Sequence, residues 1–291
     1  MNKLDADLGW GIAWPAPAKL NLMLKIVGQR ADGYHLLQTV FQMTDLIDSL
    51  IFTKVDDSRV YLAQEIAGVK ESDDLTIRAA NLLKKTTGYQ GGVCISIDKQ
   101  LPMGGGLGGG SSDAATVLVV LNRLWQLNLT EQALMALGLQ LGADVPVFIK
   151  GASVWAEGVG EQLTVITLPK AWFVIVKPSC HVDTGKIFSA KGLTRNSKSI
   201  TIADFKAGDV SNDCLPVVKE LHTQVNETLN SLSDYGEARL TGTGACVFVE
   251  FDNEESAKSM YNALALQKDV YITQGLAISP LHKKMDEVFE F

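Results

Sequence analysis

Two features of the sequence, its length and its alternation of strand and helix patterns, predict a two-domain α+β fold. The 291 residues suffice for about two domains at roughly 150 residues each. Period-two runs and helix-like runs alternate along the chain, as they do where sheets pack against layers of helices. We place the domain boundary near residue 165, which divides the chain into residues 1–165 and residues 166–291.

Composition and charge narrow the class of protein. Hydrophobic residues make up 46% of the chain and charged residues 20%, and the formal net charge is −7. These proportions are typical of a globular protein. The apolar runs are far shorter than the roughly 18 residues that span a bilayer, and the first residues show no secretory pattern, so we expect a cytoplasmic protein without a membrane partner. Without a cluster of lysine and arginine we expect no nucleic-acid partner.

Cysteine and histidine spacing predicts neither a disulfide framework nor a metal site. The four histidines form no HxxxH pair, so spacing indicates no metal-ligand set. The cysteines lie far apart and form no CxxC pair, and we interpret them as free thiols of a reducing compartment. They are Cys94, Cys180, Cys214 and Cys246.

The first predicted strand carries a polar pair on one face. In Lys19–Val27, aliphatic residues alternate with Lys19, Asn21 and Lys25, and period two places the aliphatic side chains on a core face. Lys19 and Asn21 consequently lie side by side on the opposite face. Further strands are predicted at residues 50–55, 59–63, 93–98, 163–168, 172–177, 238–240, 246–251 and 270–274.

Caps and stops predict the helices. The acidic segment Ser72–Asp74 predicts a helix that runs to about Lys85 and ends before Gly88, and Ser111 begins a second helix with an apolar face. A third helix covers Glu131–Leu141. In the second domain we predict helices at residues 212–232 and 254–266 and a loop-rich stretch at residues 191–209.

A glycine loop joins a predicted strand to a predicted helix. Six of the seven residues from Gly104 to Gly110 are glycine, which lets the backbone turn sharply and approach a ligand closely. Successive N–H groups and the N-terminus of the following helix then attract an anion. A flexible linker is the alternative, but linkers rarely lie between two regular elements. We predict a phosphate-binding loop of Pro102, Met103, Gly104, Gly105, Gly106, Leu107, Gly108, Gly109, Gly110, Ser111 and Ser112.

Spacing alone leaves the kind of phosphate loop open. Gly104, Gly106 and Gly109 match the dinucleotide-binding fingerprint, but that pattern is weak and here lies far from the first strand–helix unit of the chain. A Walker A loop is excluded because no lysine follows the last glycine. The hydroxyl groups of Ser111 and Ser112 stand where they could contact a phosphate or a bound Mg²⁺.

Three motifs in this order resemble those of the GHMP kinases, which phosphorylate small alcohols. The first motif is Pro17–Leu22, the second is the glycine loop, and the third is Leu240–Cys246, with threonine where serine is common. The resemblance implies an N-terminal domain like ribosomal protein S5, which carries the ATP loop, and a ferredoxin-like C-terminal domain. It also implies ATP and Mg²⁺ as cofactors.

The resemblance assigns a catalytic pair. Asp144 resembles the general base that takes the proton from the substrate hydroxyl, and Lys19 resembles the partner that steadies charge on the phosphate. From the residues alone, Asp144 could equally end a helix or form a turn, and Lys19 could lie on a solvated strand face. Asp113 could help to place Mg²⁺ or simply complement the helix dipole.

A closer resemblance within the family concerns the substrate. Pro15–Leu22, Arg30–His35 and Gly142–Pro146 resemble a member whose alcohol substrate carries a cytidine diphosphate, in the non-mevalonate route to isoprenoid precursors. The resemblance implies that Tyr34 stacks on the base, that His35 hydrogen-bonds to it, and that Phe188 is the second stacking partner. From the residues alone, a histidine after Gly-Tyr, such as His35, is more often a turn residue, and a phenylalanine such as Phe188 is more often part of a core. The implied substrate-binding set is Asn21, Tyr34, His35, Thr184 and Phe188.

The expected activity is transfer of the γ-phosphoryl group of ATP to a hydroxyl of that substrate. We expect a monomer or weak homodimer, with both ligands in the cleft between the domains. A kinase for another small alcohol, such as homoserine, mevalonate or a sugar, is one alternative. A dinucleotide-binding oxidoreductase and a non-catalytic nucleotide-binding module are the others.

Overall fold

The computed structural model describes residues 8–266 and 269–289. Over these residues the strands are β1 (Ala13–Gln29), β2 (His35–Val55), β3 (Val60–Leu62), β4 (Gly92–Asp98), β5 (Val154–Glu157), β6 (Gln162–Val165), β7 (Trp172–Lys177), β8 (Arg239–Leu240), β9 (Val247–Phe251) and β10 (Asp269–Leu276). The helices are α1 (Leu75–Thr87), α2 (Gly109–Leu124), α3 (Glu131–Leu141), α4 (Val145–Lys150), α5 (Thr184–Ser189), α6 (Ile202–Lys206), α7 (Leu215–Leu221), α8 (Thr223–Leu232), α9 (Glu254–Leu264) and α10 (Pro280–Phe289). This alternation confirms the predicted α+β class.

Strand β2 organises the first half of the fold. It pairs antiparallel with β1, β4 and β5, and β3 extends this sheet by pairing parallel to β4. Helices α1 to α4 pack against the sheet and form a core around Trp14, Phe52, Leu118 and Phe148. The last helix, α10, returns to this core through Leu281.

An antiparallel sheet with helices packed on it forms most of the second half. Its strand order is β10-β7-β9-β8, and α7, α8 and α9 bury apolar side chains against it. Strand β10 also pairs with β2 through Gly275 and Leu276, so one strand joins the two halves. This arrangement agrees with the predicted ferredoxin-like C-terminal domain.

Several predicted boundaries are wrong, among them the start of the strand predicted at residues 50–55, which is the end of β2 (His35–Val55). The single helix over residues 212–232 is two helices, because His222 has a non-helical backbone (φ −134°) between α7 and α8. Apolar spacing continues across that break, so periodicity does not reveal it. Helix α2 begins at Gly109 rather than Ser111, because glycine enters the helix where a polar cap was expected. Asp144 lies in a turn, and the short helix α4, which was not predicted, begins directly after it.

Membrane spans, metal clusters and disulfides are absent from the part of the chain that the structure describes. There, no helix is long and apolar enough to cross a bilayer. Nor do three or more histidine, cysteine, aspartate or glutamate side chains gather there as a metal site would need. All four cysteines are free thiols, as spacing predicts.

Candidate active site

Irregular pairing of β1 presents Lys19 and Asn21 to a cavity. The register between β1 and β2 shifts between Pro17 and Lys19 and again between Asn21 and Met23, and such bulges re-aim side chains. The two residues are only 2% and 3% exposed, which excludes a solvated strand face. Lys19 Nζ donates to Asn21 Oδ1 at 2.5 Å and to Gly106 O at 3.0 Å. These bonds fix the ammonium group beside the glycine loop.

Asp144 lies opposite this ammonium group. It occupies the N-cap position of α4, yet its carboxylate makes no capping hydrogen bond to that helix, so the carboxylate is not used to cap the helix. Its Oδ2 lies 3.2 Å from Lys19 Nζ, and the side chain of Asp144 keeps 38% exposure where that of Lys19 keeps 3%. The carboxylate is therefore paired and still accessible, as a base that must meet a substrate hydroxyl has to be.

Three glycines in the left-handed region shape the loop. Gly104, Gly106 and Gly108 have φ of 68°, 76° and 77°, a conformation that other residues rarely adopt. Gly108 is the N-cap of α2, and no side chain caps that helix. Gly109–Ser111 form its first turn and line the cavity. Because their N–H groups have no capping side chain, this helix end is suited to bind an anion.

The turn Thr241–Cys246 ties the glycine loop and β1 to the second half of the fold. Cys246 N donates to Gly105 O at 3.1 Å, and Asn21 N donates to Thr241 Oγ1 at 3.0 Å. The three motifs that the sequence places in order are thus in direct contact.

One cavity of about 620 Å³ brings most of the predicted site together. Ser112 does not line it, because its side chain is fully buried, and its hydroxyl has no hydrogen-bond partner among the described residues. A helix N-terminus, an ammonium group and a carboxylate around one cavity can position and stabilise phosphoryl transfer to an alcohol. The predicted residues in its lining are Lys19, Asn21, Pro102, Met103, Gly104, Gly105, Gly106, Leu107, Gly108, Gly109, Gly110, Ser111, Asp144, Thr184 and Phe188.

The predicted base-binding residues lie at the edge of this cavity. Tyr34, which is 62% exposed, and His35 are outside its lining. His35 stacks on Phe188 with ring centroids 5.0 Å apart, so Phe188 connects the aromatic pair to the cavity. Thr184 Oγ1 lies 2.9 Å from Thr243 Oγ1, which places it beside the third motif.

Known proteins resemble this chain in sequence over most of its length. Residues 74–152 match the GHMP kinases N terminal domain, and residues 196–269 match the GHMP kinases C terminal domain. The 4-diphosphocytidyl-2-C-methyl-D-erythritol kinase of Marinobacter nauticus is 51% identical over 95% of this chain and 98% of its own. The chain belongs to the 4-diphosphocytidyl-2-C-methyl-D-erythritol kinase family of GHMP kinases.

Other similar proteins support the same family assignment. The 4-diphosphocytidyl-2-C-methyl-D-erythritol kinase of Pseudomonas aeruginosa is 48% identical, over 94% of this chain and 98% of its own. The crystal structure of a 4-(cytidine 5'-diphospho)-2C-methyl-D-erythritol kinase superposes with a TM-score of 0.79 at 30% identity and covers 91% of this chain and 100% of its own. Homoserine kinase from Cytophaga hutchinsonii, at 14% identity and a TM-score of 0.60, shares the fold over 92% of this chain and 95% of its own. The predicted GHMP kinase fold is confirmed, and the chain is a small-molecule kinase.

Sequence reasoning misses a buried ion network beneath the glycine loop of this kinase. Lys99 Nζ pairs with the carboxylates of Asp48 and Asp113. Burial and the neighbouring Asp48 raise the pKa of Asp113 to about 7, against the attraction of Lys99. A lysine just before the loop is the one local signal of this network. Arg195, which contacts His35, is also missed, because a lone arginine in a loop-rich stretch gives no signal.

Proposed function

We propose that the chain transfers the γ-phosphoryl group of ATP to the 2-hydroxyl of 4-diphosphocytidyl-2-C-methyl-D-erythritol, a step of non-mevalonate isoprenoid precursor synthesis. The observation that carries the proposal is the 3.2 Å pair of Lys19 and Asp144 in one cavity with the uncapped N-terminus of α2. Relatives that are half identical to this chain and bear the name of this kinase support the choice of substrate.

The proposed chemistry assigns one role to each group. Asp144 takes the proton from the substrate hydroxyl while the hydroxyl oxygen attacks the γ-phosphorus of ATP. The bond between the γ-phosphorus and the oxygen that bridges it to the β-phosphate breaks, and ADP leaves. The ammonium group of Lys19 stabilises charge on the transferred group. Its bonds to Asn21 and Gly106 hold it in position before the reaction, so little reorganisation is needed. The N–H groups of Gly109–Ser111 bind the remaining phosphates.

A site for Mg²⁺ fits the part of the cavity where Ser111 and Asp144 supply oxygen atoms. The ion usually binds through few protein oxygens together with substrate phosphates and water, and the Ser111 side chain lines the cavity at the N-terminus of α2. We propose Ser111 as its protein ligand. When bound, the ion neutralises charge on the β- and γ-phosphates. Asp113 is engaged by Lys99 at 2.7 Å, so we assign it no ligand role.

We further propose that the kinase works in the cytoplasm as a monomer or weak homodimer. The lining that one chain supplies includes Lys19, Asp144 and the N-terminus of α2, the three groups that the proposed transfer uses. The acidic net charge of −7 also suits a protein whose anionic ligands are held locally, by backbone N–H groups and a few lysines, rather than by a basic surface.

An assay of ADP release with Mg-ATP tests the proposed function. The panel contains 4-diphosphocytidyl-2-C-methyl-D-erythritol, homoserine, mevalonate and galactose, and Asp144→Asn serves as the inactive control. Turnover with the first alcohol alone supports the proposal. Turnover with another alcohol keeps the kinase class and overturns the substrate. No turnover by folded protein that binds ATP favours a non-catalytic nucleotide-binding module.

A further inference from the structure

Arg195 connects the two aromatic residues at the edge of the cavity. Its half-buried side chain follows α5, and its Nη2 donates to Phe188 O at 2.8 Å and to Ala190 O at 2.9 Å. Its Nη1 donates to Leu193 O at 3.1 Å, and its Nε donates to His35 Nε2 at 3.1 Å. One guanidinium therefore holds both the backbone that carries Phe188 and the ring that stacks on it.

The contact with Arg195 leaves His35 only one tautomer. A guanidinium has five donors and no acceptor, and it stays protonated in proteins. Its N–H group must therefore meet a lone pair, so Nε2 of His35 is unprotonated and Nδ1 carries the ring proton. Burial and the positive charge of Arg195 lower the pKa of His35, which favours the same neutral form. Within residues 8–266 and 269–289, Nδ1 has no hydrogen-bond partner, and its N–H group is available to a ligand.

A fixed donor at His35 distinguishes the two common pyrimidines. N3 of cytosine is an acceptor, whereas N3 of uracil carries a proton that would oppose a second donor. A site that presents a fixed donor rejects uracil, because the N–H group of His35 and the N3–H group of uracil would both be left without an acceptor. We propose that Arg195 is a positioning residue that keeps the ring proton of His35 on Nδ1, and that the base subsite thereby selects cytosine over uracil. This inference rests on the proposed function, whose substrate carries a cytidine diphosphate, and on the predicted hydrogen bond between its base and His35.

A positioning role of Arg195 affects recognition of the base and leaves the phosphoryl-transfer step unchanged. The rings of His35 and Phe188 are 5.0 Å apart and inclined by 27°, and Arg195 holds one ring directly and the other through its backbone. Lys19 and Asp144 make their contacts elsewhere in the cavity. We therefore expect changes at Arg195 to alter the KM of the cytidine substrate, with kcat and the KM of ATP preserved.

Two substitutions separate hydrogen-bond donation from packing. The amide of Arg195→Gln both donates and accepts, so His35 becomes free to take either tautomer, whereas Arg195→Lys keeps the charge and can only donate. Each variant is assayed with the cytidine substrate and with its uracil analogue. Nitrogen-15 NMR of the imidazole rings reports the tautomer, and His35→Gln identifies the signals of His35. Urea unfolding checks that each variant is folded.

The wild type should show a protonated Nδ1 and an unprotonated Nε2 at His35. It should prefer the cytosine substrate about 100-fold in kcat/KM. Arg195→Gln should raise the KM of the cytosine substrate about tenfold, reduce the preference about tenfold and leave kcat within about twofold. Arg195→Lys should recover most of the preference. His35→Gln keeps the three carbonyl bonds of Arg195 and should lose the same selectivity, so the prediction holds even if Arg195→Gln does not fold.

Two results would overturn the inference. One is an equal fall in kcat/KM for the cytosine substrate and its uracil analogue in both Arg195→Gln and Arg195→Lys. That result would show that Arg195 has a packing role alone. The other is a wild-type His35 with its proton on Nε2. A wild type that turns over no cytidine substrate overturns the proposed function and with it the selection of a base. The NMR measurement needs no substrate, so it still decides whether Arg195 sets the tautomer.

Discussion

The end of the cavity proposed to bind phosphate, around Lys19, Asp144 and the glycine loop, is built differently from the end proposed to bind the base, around Tyr34, His35 and Phe188. We call them the phosphate end and the base end. At the phosphate end, Lys19 is 2% exposed and is held by the glycine loop, Asn21 and Asp144. At the base end, Tyr34 is 62% exposed, and the stacked pair of His35 and Phe188 depends on one arginine from a loop-rich stretch. Fixed, buried groups reduce reorganisation during transfer, whereas exposed aromatic groups mainly add binding energy. We infer that the phosphate end controls kcat and the base end controls KM.

Removal of the base from the phosphate end should have the largest effect. Asp144→Asn preserves the size of the side chain and leaves Lys19 its bonds to Asn21 and Gly106, but an amide cannot accept the substrate proton. We expect kcat to fall about 10³-fold. The Kd of ATP should change less than about threefold, because the helix end proposed to bind phosphate is untouched. Steady-state kinetics and calorimetric titration with ATP measure the two quantities.

A second lysine–aspartate pair on β1 provides the matched control. Lys25 Nζ lies 3.1 Å from Asp209 Oδ1, and neither residue lines the cavity. Asp209→Asn should leave kcat within about twofold, since this pair lies outside the cavity and the Asp209 side chain is 36% exposed. If Asp144→Asn behaved like Asp209→Asn, Asp144 would not be the base. The rate would then depend on Lys19 and the glycine loop alone.

Breaking the buried ion network of Lys99, Asp48 and Asp113 should have the next largest effect, a loss of stability. Lys99→Met leaves the carboxylates of Asp48 and Asp113 buried without their ammonium group, and a broken buried pair costs about 3 kcal/mol or more. Lys25→Met breaks the pair with Asp209, whose side chain is 36% exposed where those of Asp48 and Asp113 are at most 3% exposed, and should cost at most about 1 kcal/mol. Urea unfolding of both variants measures the difference. Equal losses would show that the network supports the phosphate end no better than a surface pair does.

Gly106 and Gly110 test how tightly the loop fits the second half of the fold. A Cβ on Gly106, where φ is +76°, would lie 2.5 Å from Thr241 O, so Gly106→Ala should lower the free energy of unfolding by about 2 kcal/mol. A Cβ on Gly110, in the first turn of α2, would make an ordinary contact of 3.7 Å with Leu75. Gly110→Ala should therefore raise the free energy of unfolding by up to about 1 kcal/mol. Similar urea midpoints for the two variants would contradict a rigid phosphate end.

Local patterns predict the phosphate end well because its parts are short, continuous segments. The alternation around Lys19 and the glycines before α2 each indicate one element and one exposed or ligand-facing side. Local patterns do not predict the distance between Lys19 and Asp144, because that distance depends on how β1 lies against α4. That pairing came from the resemblance to the GHMP kinases, and the 3.2 Å contact agrees with it.

Contacts across the fold are what local patterns cannot predict. Arg195 and His35 are 160 residues apart, and Lys99 reaches Asp48 because β2 and β4 are paired neighbours. The burial of Ser112 has the same origin: the pattern places a serine at a helix start, and only the packing of α2 decides that its hydroxyl faces the interior. Each of these depends on packing between segments that no spacing rule connects.

Tyr34 gives the smallest predicted effect and the sharpest test of the base end. Tyr34→Ala removes the ring proposed to stack on cytosine, and base–aromatic stacking at such an exposed position contributes about 1 kcal/mol. The KM of the cytidine substrate should rise about fivefold, with kcat within about twofold. Tyr34→Phe keeps the ring and should recover most of the affinity. Steady-state kinetics with the cytidine substrate measure both constants.

A fall in kcat with Tyr34→Ala would break the distinction between the two ends. Binding energy far from the reacting atoms can be used to bring the hydroxyl to the base, and its loss then lowers kcat. Single-turnover measurements separate this case from a change in product release. An unchanged transfer rate would mean that Lys19, Asp144 and the glycine loop position the hydroxyl without help from the base, as their burial and mutual contacts indicate.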